Sequence, residues 1–230
     1  MILLAVIIAA AVLVAVFLVW ACACIDSGVW VKAVCRDLEP GKILFTFDDG
    51  PDPETTPQIL DILSRHGLKA YFFIVGEKAE KYPWLVRRIA EEGHVIGNHT
   101  YTHSVLFPLS GKPCIEDDIR ACDSVTDAAL EGRAGAVRSR ERLFRPPFGV
   151  TNPDIAKVLK HTGHKVVGWD VRSFDTLYIK DTLSAGRAEA AVKKCTERVV
   201  RKARPGSVIL LHDRLHLAPE LLSSLITALK

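Results

Sequence analysis

From Ile2 to Ile25 the chain carries no charged residue, and beyond Asp26 the pattern changes to short apolar runs separated by amphipathic stretches. The first run is long enough to cross a hydrocarbon core as a helix, which takes about 20 apolar residues. It exceeds the roughly 7–15-residue apolar region of a signal peptide, and no Lys or Arg precedes it. Residues 1–25 are therefore read as a membrane anchor, with a cleaved secretory segment as the alternative. Residues 26–41 read as a linker, and residues 42–230 as one domain.

In that domain, strand-like runs stand at 43–47 (ILFTF), 70–75 (AYFFIV), 95–98 (VIGN), 142–145 (RLFR), 165–169 (KVVGW) and 207–212 (SVILLH). Amphipathic helical stretches lie between them, among them TPQILDILSRHG, YPWLVRRIAEEG and NPDIAKVLKHTG. Each of these three ends in a glycine (Gly67, Gly93, Gly163) followed closely by an apolar run. Glycine suits the left-handed position that closes a helix, so each marks a helix-to-strand turn. Pro57, Pro83 and Pro153 fall near helix starts, where proline is tolerated. Strands alternating with helices predict a parallel β/α architecture, and continuously apolar strands predict helices covering the sheet. In such folds reactive side chains gather at the C-terminal ends of the strands.

Composition changes this picture little. Thirty basic residues against 27 acidic leave a net charge of +3, with no basic stripe, so nucleic acid is not an expected partner. Six cysteines include no C-x-x-C pair, which argues against a zinc ribbon or a thioredoxin-like site. Outside the cytoplasm, disulfides among Cys35, Cys114, Cys122 and Cys195 are allowed, with connectivity open.

The strand ends carry the chemistry. The first runs into Asp48 and Asp49, the third into His99 and His103, and the fourth into Arg145 and the PPFG that follows. The fifth runs into WDVRSFDT, with Trp169, Asp170 and Asp175, and the last into His212 and Asp213. On one helical turn His99 and His103 share a face, so both imidazoles reach one point. Two histidines and one carboxylate form a recognised three-ligand set for catalytic zinc. Asp49 can supply that carboxylate, leaving Asp48 to take a proton from water. His212 and His216 repeat the four-residue spacing, but His216 reads as a solvated residue before a helix. His66, His94, His161 and His164 read as helix C-terminal imidazoliums without chemistry.

Five motifs in order, TFDDG (46–50), HTYTH (99–103), RPPFG (145–149), WDVRSFDT (169–176) and LLH (210–212), resemble the NodB-homology polysaccharide deacetylases, or carbohydrate esterase family 4. The resemblance implies a distorted, incomplete parallel (β/α) barrel. It implies Asp48 as general base, and Asp49, His99 and His103 as ligands of one divalent metal ion. Zinc comes first, with cobalt, nickel or manganese served by the same donors. Arg145 would orient ionised Asp48, and the Phe148 backbone N–H would help hold the oxyanion. His212 would be the general acid tuned by Asp175, while Trp169 and Leu210 would shape the acetyl pocket.

The implied reaction is hydrolytic removal of N-acetyl groups from amino sugars of a cell-wall or extracellular polysaccharide, peptidoglycan- or chitin-like, with release of acetate. The implied location is the cell membrane with the catalytic domain outside, or secretion if the first segment is cleaved. Alternatives are the same chemistry on O-acetyl xylan or a lipid-linked sugar, or a glycan-binding pseudoenzyme. The last is prompted by two departures: Arg172 stands where the family usually has Asp, and Thr176 where it has Trp. Phe148 replaces a common Tyr, and the sequence ends without a closing strand, so one barrel edge is expected to be open or completed by a partner.

Overall fold

The computed structural model describes residues 1–131, 141–180 and 182–229. Lys230, the last residue of the expected domain, lies outside them. Helix α1 (Ile2–Ala23) is followed by β1 (Leu44–Gly50), α2 (Thr55–Arg65), β2 (Tyr71–Ile74), α3 (Gly76–Lys81), α4 (Pro83–Glu91) and β3 (Val95–Asn98). Then come α5 (Lys112–Leu130), β4 (Arg142–Phe144), α6 (Pro153–Thr162), β5 (His164–Val166), β6 (Val171–Arg172), α7 (Asp175–Tyr178), α8 (Ala185–Lys202), β7 (Val208–His212) and α9 (Ala218–Ala228).

The strands form one sheet in the order β5-β4-β3-β2-β1-β7-β6, with every neighbouring pair parallel. Consecutive strands β5 and β6 therefore lie at opposite edges. Only residues 167–170 join them, a span of at most about 18 Å, whereas the edges of a flat seven-stranded sheet lie about 29 Å apart. The sheet must curl, and this is the incomplete barrel expected. Val34 bridges Val167 and Arg36 bridges Ser207, so residues from the 26–41 stretch lie across the gap between the edges.

This connection corrects the sequence reading in one respect. The fifth apolar run, 165–169, is not one strand: β5 holds only its first two residues, because the chain leaves β5 at Val166 and crosses the opening to β6. Apolar periodicity does not record a change of neighbouring strand. Asp170 consequently sits at the start of β7, not at a strand's C-terminal end. Its Oδ1 accepts from the Val208 N–H (2.8 Å) and its Oδ2 from the Ser207 hydroxyl (3.0 Å).

Alternation along β1 sets the two faces of the sheet. Phe45 and Phe47 join Ile59 and Leu63 of α2 and Leu222 and Leu225 of α9 in the main core. Burying each such side chain contributes about 1.5–3 kcal/mol. Thr46 and Asp48 point the other way, towards a smaller inner cluster of Phe73, Leu143 and Val167. A third cluster packs α5 and α6 on β4 and β5, and Ile25, just beyond α1, belongs to it.

Helix α6 shows the expected punctuation. Asn152 accepts from the Ile155 N–H (2.8 Å), Pro153 opens the helix, and Gly163 closes it with φ +73°. Gly67 and Gly93 also have positive φ, 63° and 78°. The histidines expected as helix C-terminal cations differ among themselves. His94 is buried, accepts from the Ala70 N–H (3.1 Å), and is driven down to about 4 by burial, so it is neutral. His164 belongs to β5. His216 is exposed two residues before α9, as expected. All six cysteines are free thiols.

Candidate active site

The C-terminal ends of β1, β3, β4 and β7 meet around a pocket of about 170 Å³. Register explains the first pair: Asp48 of β1 and His212 of β7 are Cα partners, so their side chains emerge side by side on the inner face. Asp49, next along, has φ +70°, a left-handed turn that swings its carboxylate to the same side. Four of the six non-glycine residues with positive φ among the described residues line this pocket, Asp49, His103, Phe148 and Phe174, and a fifth, Thr100, lies between His99 and His103 in the chain. Such backbone costs about 1–3 kcal/mol per residue and persists where surrounding contacts enforce it.

His99 and His103 arrive differently from expectation. They lie on an irregular loop after β3, not on a helical turn, and left-handed Thr100 and His103 bend it. The loop is pinned to the start of α3, where the Gly76 and Glu77 N–H groups donate to Thr100 and Tyr101 carbonyls (2.9 and 3.0 Å). The outcome is still convergence. Asp49 Oδ1 lies 3.4 Å from His99 Nε2 and 3.2 Å from His103 Nε2, and the three donor atoms lie within 4.8 Å of one another.

These donors fit a metal ion. Bonds of about 2.1 Å at tetrahedral angles place donor atoms about 3.4 Å apart. His99 Nδ1 is 2.6 Å from the Arg145 carbonyl, which can only accept, so Nδ1 carries a proton and Nε2 is the nitrogen turned towards the other two donors. Burial, then the neighbouring His99, lower the pKa of His103 and favour the neutral, ligating imidazole. Burial works to raise the Asp49 pKa, but His99, His212 and Arg214 outweigh it and hold the carboxyl well below the usual range. Arg214 Nε donates to Asp49 Oδ2 (2.8 Å), leaving Oδ1 to the histidines.

Asp48 belongs to a separate network. Arg145 is fully buried, stacks over the Phe73 ring (4.0 Å), and donates from Nη1 to Asp48 Oδ1 (2.6 Å) and Thr46 Oγ1 (2.8 Å). Its remaining nitrogens donate to the carbonyls of Val167 (3.0 Å) and Gly168 (2.8 Å). Every partner is fixed by the sheet or the edge-to-edge crossing, so Asp48 is held with Oδ2 3.8 Å from His99 Nε2.

Across the pocket, Asp175 accepts from the His212 backbone N–H (2.8 Å), and its Oδ1 lies 2.9 Å from His212 Nδ1. Ser173 steadies this carboxylate residue by accepting from its N–H (3.2 Å) while donating to Leu210 (2.8 Å). Burial pulls the His212 pKa down, but Asp175, then Asp48 and Asp49, raise it to about 9. Trp169, Leu210 and Phe148 also line the pocket. Gly149 is required beside them: an added Cβ would lie 2.6 Å from Trp169, and φ is +71°.

The ten residues to which the resemblance assigns roles thus border or directly support one cavity, whereas Asp170 and Asp213 do not line it. Arg214, Thr46 and Ser173 were missed. Arg214 stands two residues beyond the LLH run, where attention to every ionisable side chain past a strand end finds it. Arg172 lines the pocket too, its guanidinium 5.6 Å from the Trp169 ring and 5.4 Å from the Phe174 ring.

Residues 36–167 match the family model described as polysaccharide deacetylase. The chain belongs to that family. It is 39% identical over 173 residues to a peptidoglycan-N-acetylglucosamine deacetylase of Bacillus cereus, covering 75% of this chain and 56% of the relative. It is 32% identical over 172 residues to a chitooligosaccharide deacetylase of Sinorhizobium fredii, covering 75% and 72%. A solved peptidoglycan N-acetylglucosamine deacetylase, crystallised with an N-oxidanyl-benzamide, superposes with a TM-score of 0.70 at 32% identity, over 86% of this chain and 85% of that one. The chain therefore spans just over half the length of the first of these relatives. The curled sheet is the fold of the deacetylase family.

Proposed function

We propose that this chain hydrolyses N-acetyl groups of amino sugars in a cell-wall polysaccharide, peptidoglycan- or chitin-like, to acetate and a free amine. One observation carries the reading: the Asp49–His99–His103 donor cluster lies between a buried, arginine-held Asp48 and an Asp175-held His212. Family relatives named for these two glycans support it.

Asp49, His99 and His103 are the residues to hold a divalent cation, zinc first. Such an ion supplies positive charge that polarises an amide carbonyl and acidifies water. Asp48 acts as the base. Arg145 fixes Oδ1, leaving Oδ2 to take the proton of the attacking water. The oxyanion that develops faces the Phe148 peptide, whose N–H donates to it, a contribution that is often the largest in acyl transfer. An amine leaves poorly unless protonated. His212, held protonated at neutral pH by Asp175, delivers that proton from Nε2. Trp169 and Leu210 enclose the acetyl methyl. The apolar helix α1, whether retained as a span or removed as a secretory segment, supports a reading in which this chemistry takes place outside the cytoplasm.

The test is acetate release from N-acetylglucosamine oligomers and from peptidoglycan. Turnover should fall by about 10²–10⁴-fold in Asp48→Asn, the usual weight of a general base. Glycan binding without acetate under every divalent metal tried would replace the enzyme with a binding protein.

A further inference from the structure

The last turn of α1 is built into the domain. Ala21 and Ile25 are buried, and the Cys22 carbonyl accepts from the Thr151 N–H (2.9 Å). Ile25 shares its cluster with Phe107 and Phe144. The 22-residue helix is about 33 Å long, close to the roughly 30 Å of hydrocarbon in a bilayer. A spanning α1 is thus used up in crossing, and Cys22 to Ile25 stand at the lipid surface together with whatever is packed on them.

What is packed on them is the loop between the metal-site histidines and α5. Asn152, adjacent to Thr151, donates from Nδ2 to the Pro108 carbonyl (2.5 Å). Phe107 turns inward to the cluster containing Ile25, while Val105, Leu106 and Leu109 turn outward with 72%, 63% and 81% of their surface exposed. From His99 to Ile115 there is no acidic residue, and Lys112 is the single Lys or Arg. Three solvent-facing aliphatic side chains within the five residues 105–109 of an acid-free loop, starting two residues after His103, are costly in water and suited to a lipid interface.

We propose that the 104–111 loop rests in the headgroup region of the membrane that α1 spans, so that the catalytic pocket opens at the bilayer surface. A consequence, resting on the deacetylase reading, is that the glycan served first is one held close to the membrane, not distant wall polymer.

The experiment uses the full chain in lipid nanodiscs. Leu106→Trp and Leu109→Trp each add a fluorophore, read against the native tryptophan background with lipids brominated near the headgroup. The added emission should fall by more than half, and a Trp substituted for exposed Val200 on α8 should be unaffected. An added signal at 106 and 109 that brominated lipid leaves unchanged, in protein with native circular dichroism, overturns the proposal. The second arm measures acetate from a soluble N-acetylglucosamine oligomer with Leu106→Ser/Leu109→Ser. Unchanged KM beside lost membrane contact supports the lipid role; a several-fold rise in KM without any lipid quenching in the Trp variants makes the loop a sugar contact instead. Acetate release absent from every form, wild type included, sinks the deacetylase reading while the quenching result stands by itself.

Discussion

Arg145 and Asp48 form an ion pair sealed inside the curled sheet, Nη1 to Oδ1 2.6 Å, with no Arg145 surface exposed. The guanidinium enters from β4 and the carboxylate from β1, and the crossing from β5 to β6 supplies the two carbonyls that complete it. The pair thus ties the opening of the barrel to the base it positions. Replacing Arg145 by Met leaves buried Asp48 without the guanidinium it is paired with. Unfolding in urea should show a loss of about 3–5 kcal/mol, the usual cost of breaking a buried pair. Arg145→Lys keeps the charge but not the fork of donors, so it should lose less stability while still lowering kcat.

His212 and Asp175 give a pH signature. The folded imidazole holds its proton to about 9 and the unfolded one to about 6.5. The stability contributed by this pair is therefore complete below about 6.5 and fades as pH rises through 9. Activity that needs protonated His212 should decline on the same alkaline side. Asp175→Asn should move that limb down by at least about one pH unit. The His212 ring titration by NMR should move with it, and a limb that stays in place assigns the acid elsewhere.

Gly76 is where the histidine loop leans on α3. A Cβ there would lie 2.8 Å from the Tyr101 Cα and 2.4 Å from its ring, and backbone cannot yield as a flexible side chain can. Gly76→Ala should destabilise the fold by about 1–3 kcal/mol, the range for overpacking. It should also weaken divalent-metal binding, measured by calorimetry, although it touches no donor atom.

Removing a donor should act more directly. His103→Ala should reduce metal affinity by more than the roughly 10–100-fold typical of outer partners. Chelation of the wild type should lower Tm, because an ion bound only by the folded state stabilises it. His103→Ala should show almost no chelator-dependent shift.

Much of this site was legible because the chemistry sits where short apolar runs end. Asp48, Asp49, Arg145 and His212 follow directly from that rule, and alternation of Phe45 and Phe47 with Thr46 and Asp48 marks the two faces. Other features leave no such trace. The spacing of His99 and His103 is the same on a helix or a loop, and only positive φ at Thr100 and His103 tells them apart. The end of β5 hides inside KVVGW, since an apolar residue looks alike within a strand and in the crossing that follows it. Arg214 was passed over because a half-exposed arginine on a turn resembles any solvated charge until Asp49 is seen beside it.

The most direct measurement is acetate released from an N-acetylglucosamine oligomer by the full chain, with metal content determined on the same sample. One divalent ion per chain is expected, with acetate release that chelation abolishes, metal restores, and Asp48→Asn reduces by about 10²–10⁴-fold with the ion still bound. Full acetate release from metal-free protein, or from Asp48→Asn, would contradict the division of labour between Asp48 and Asp49.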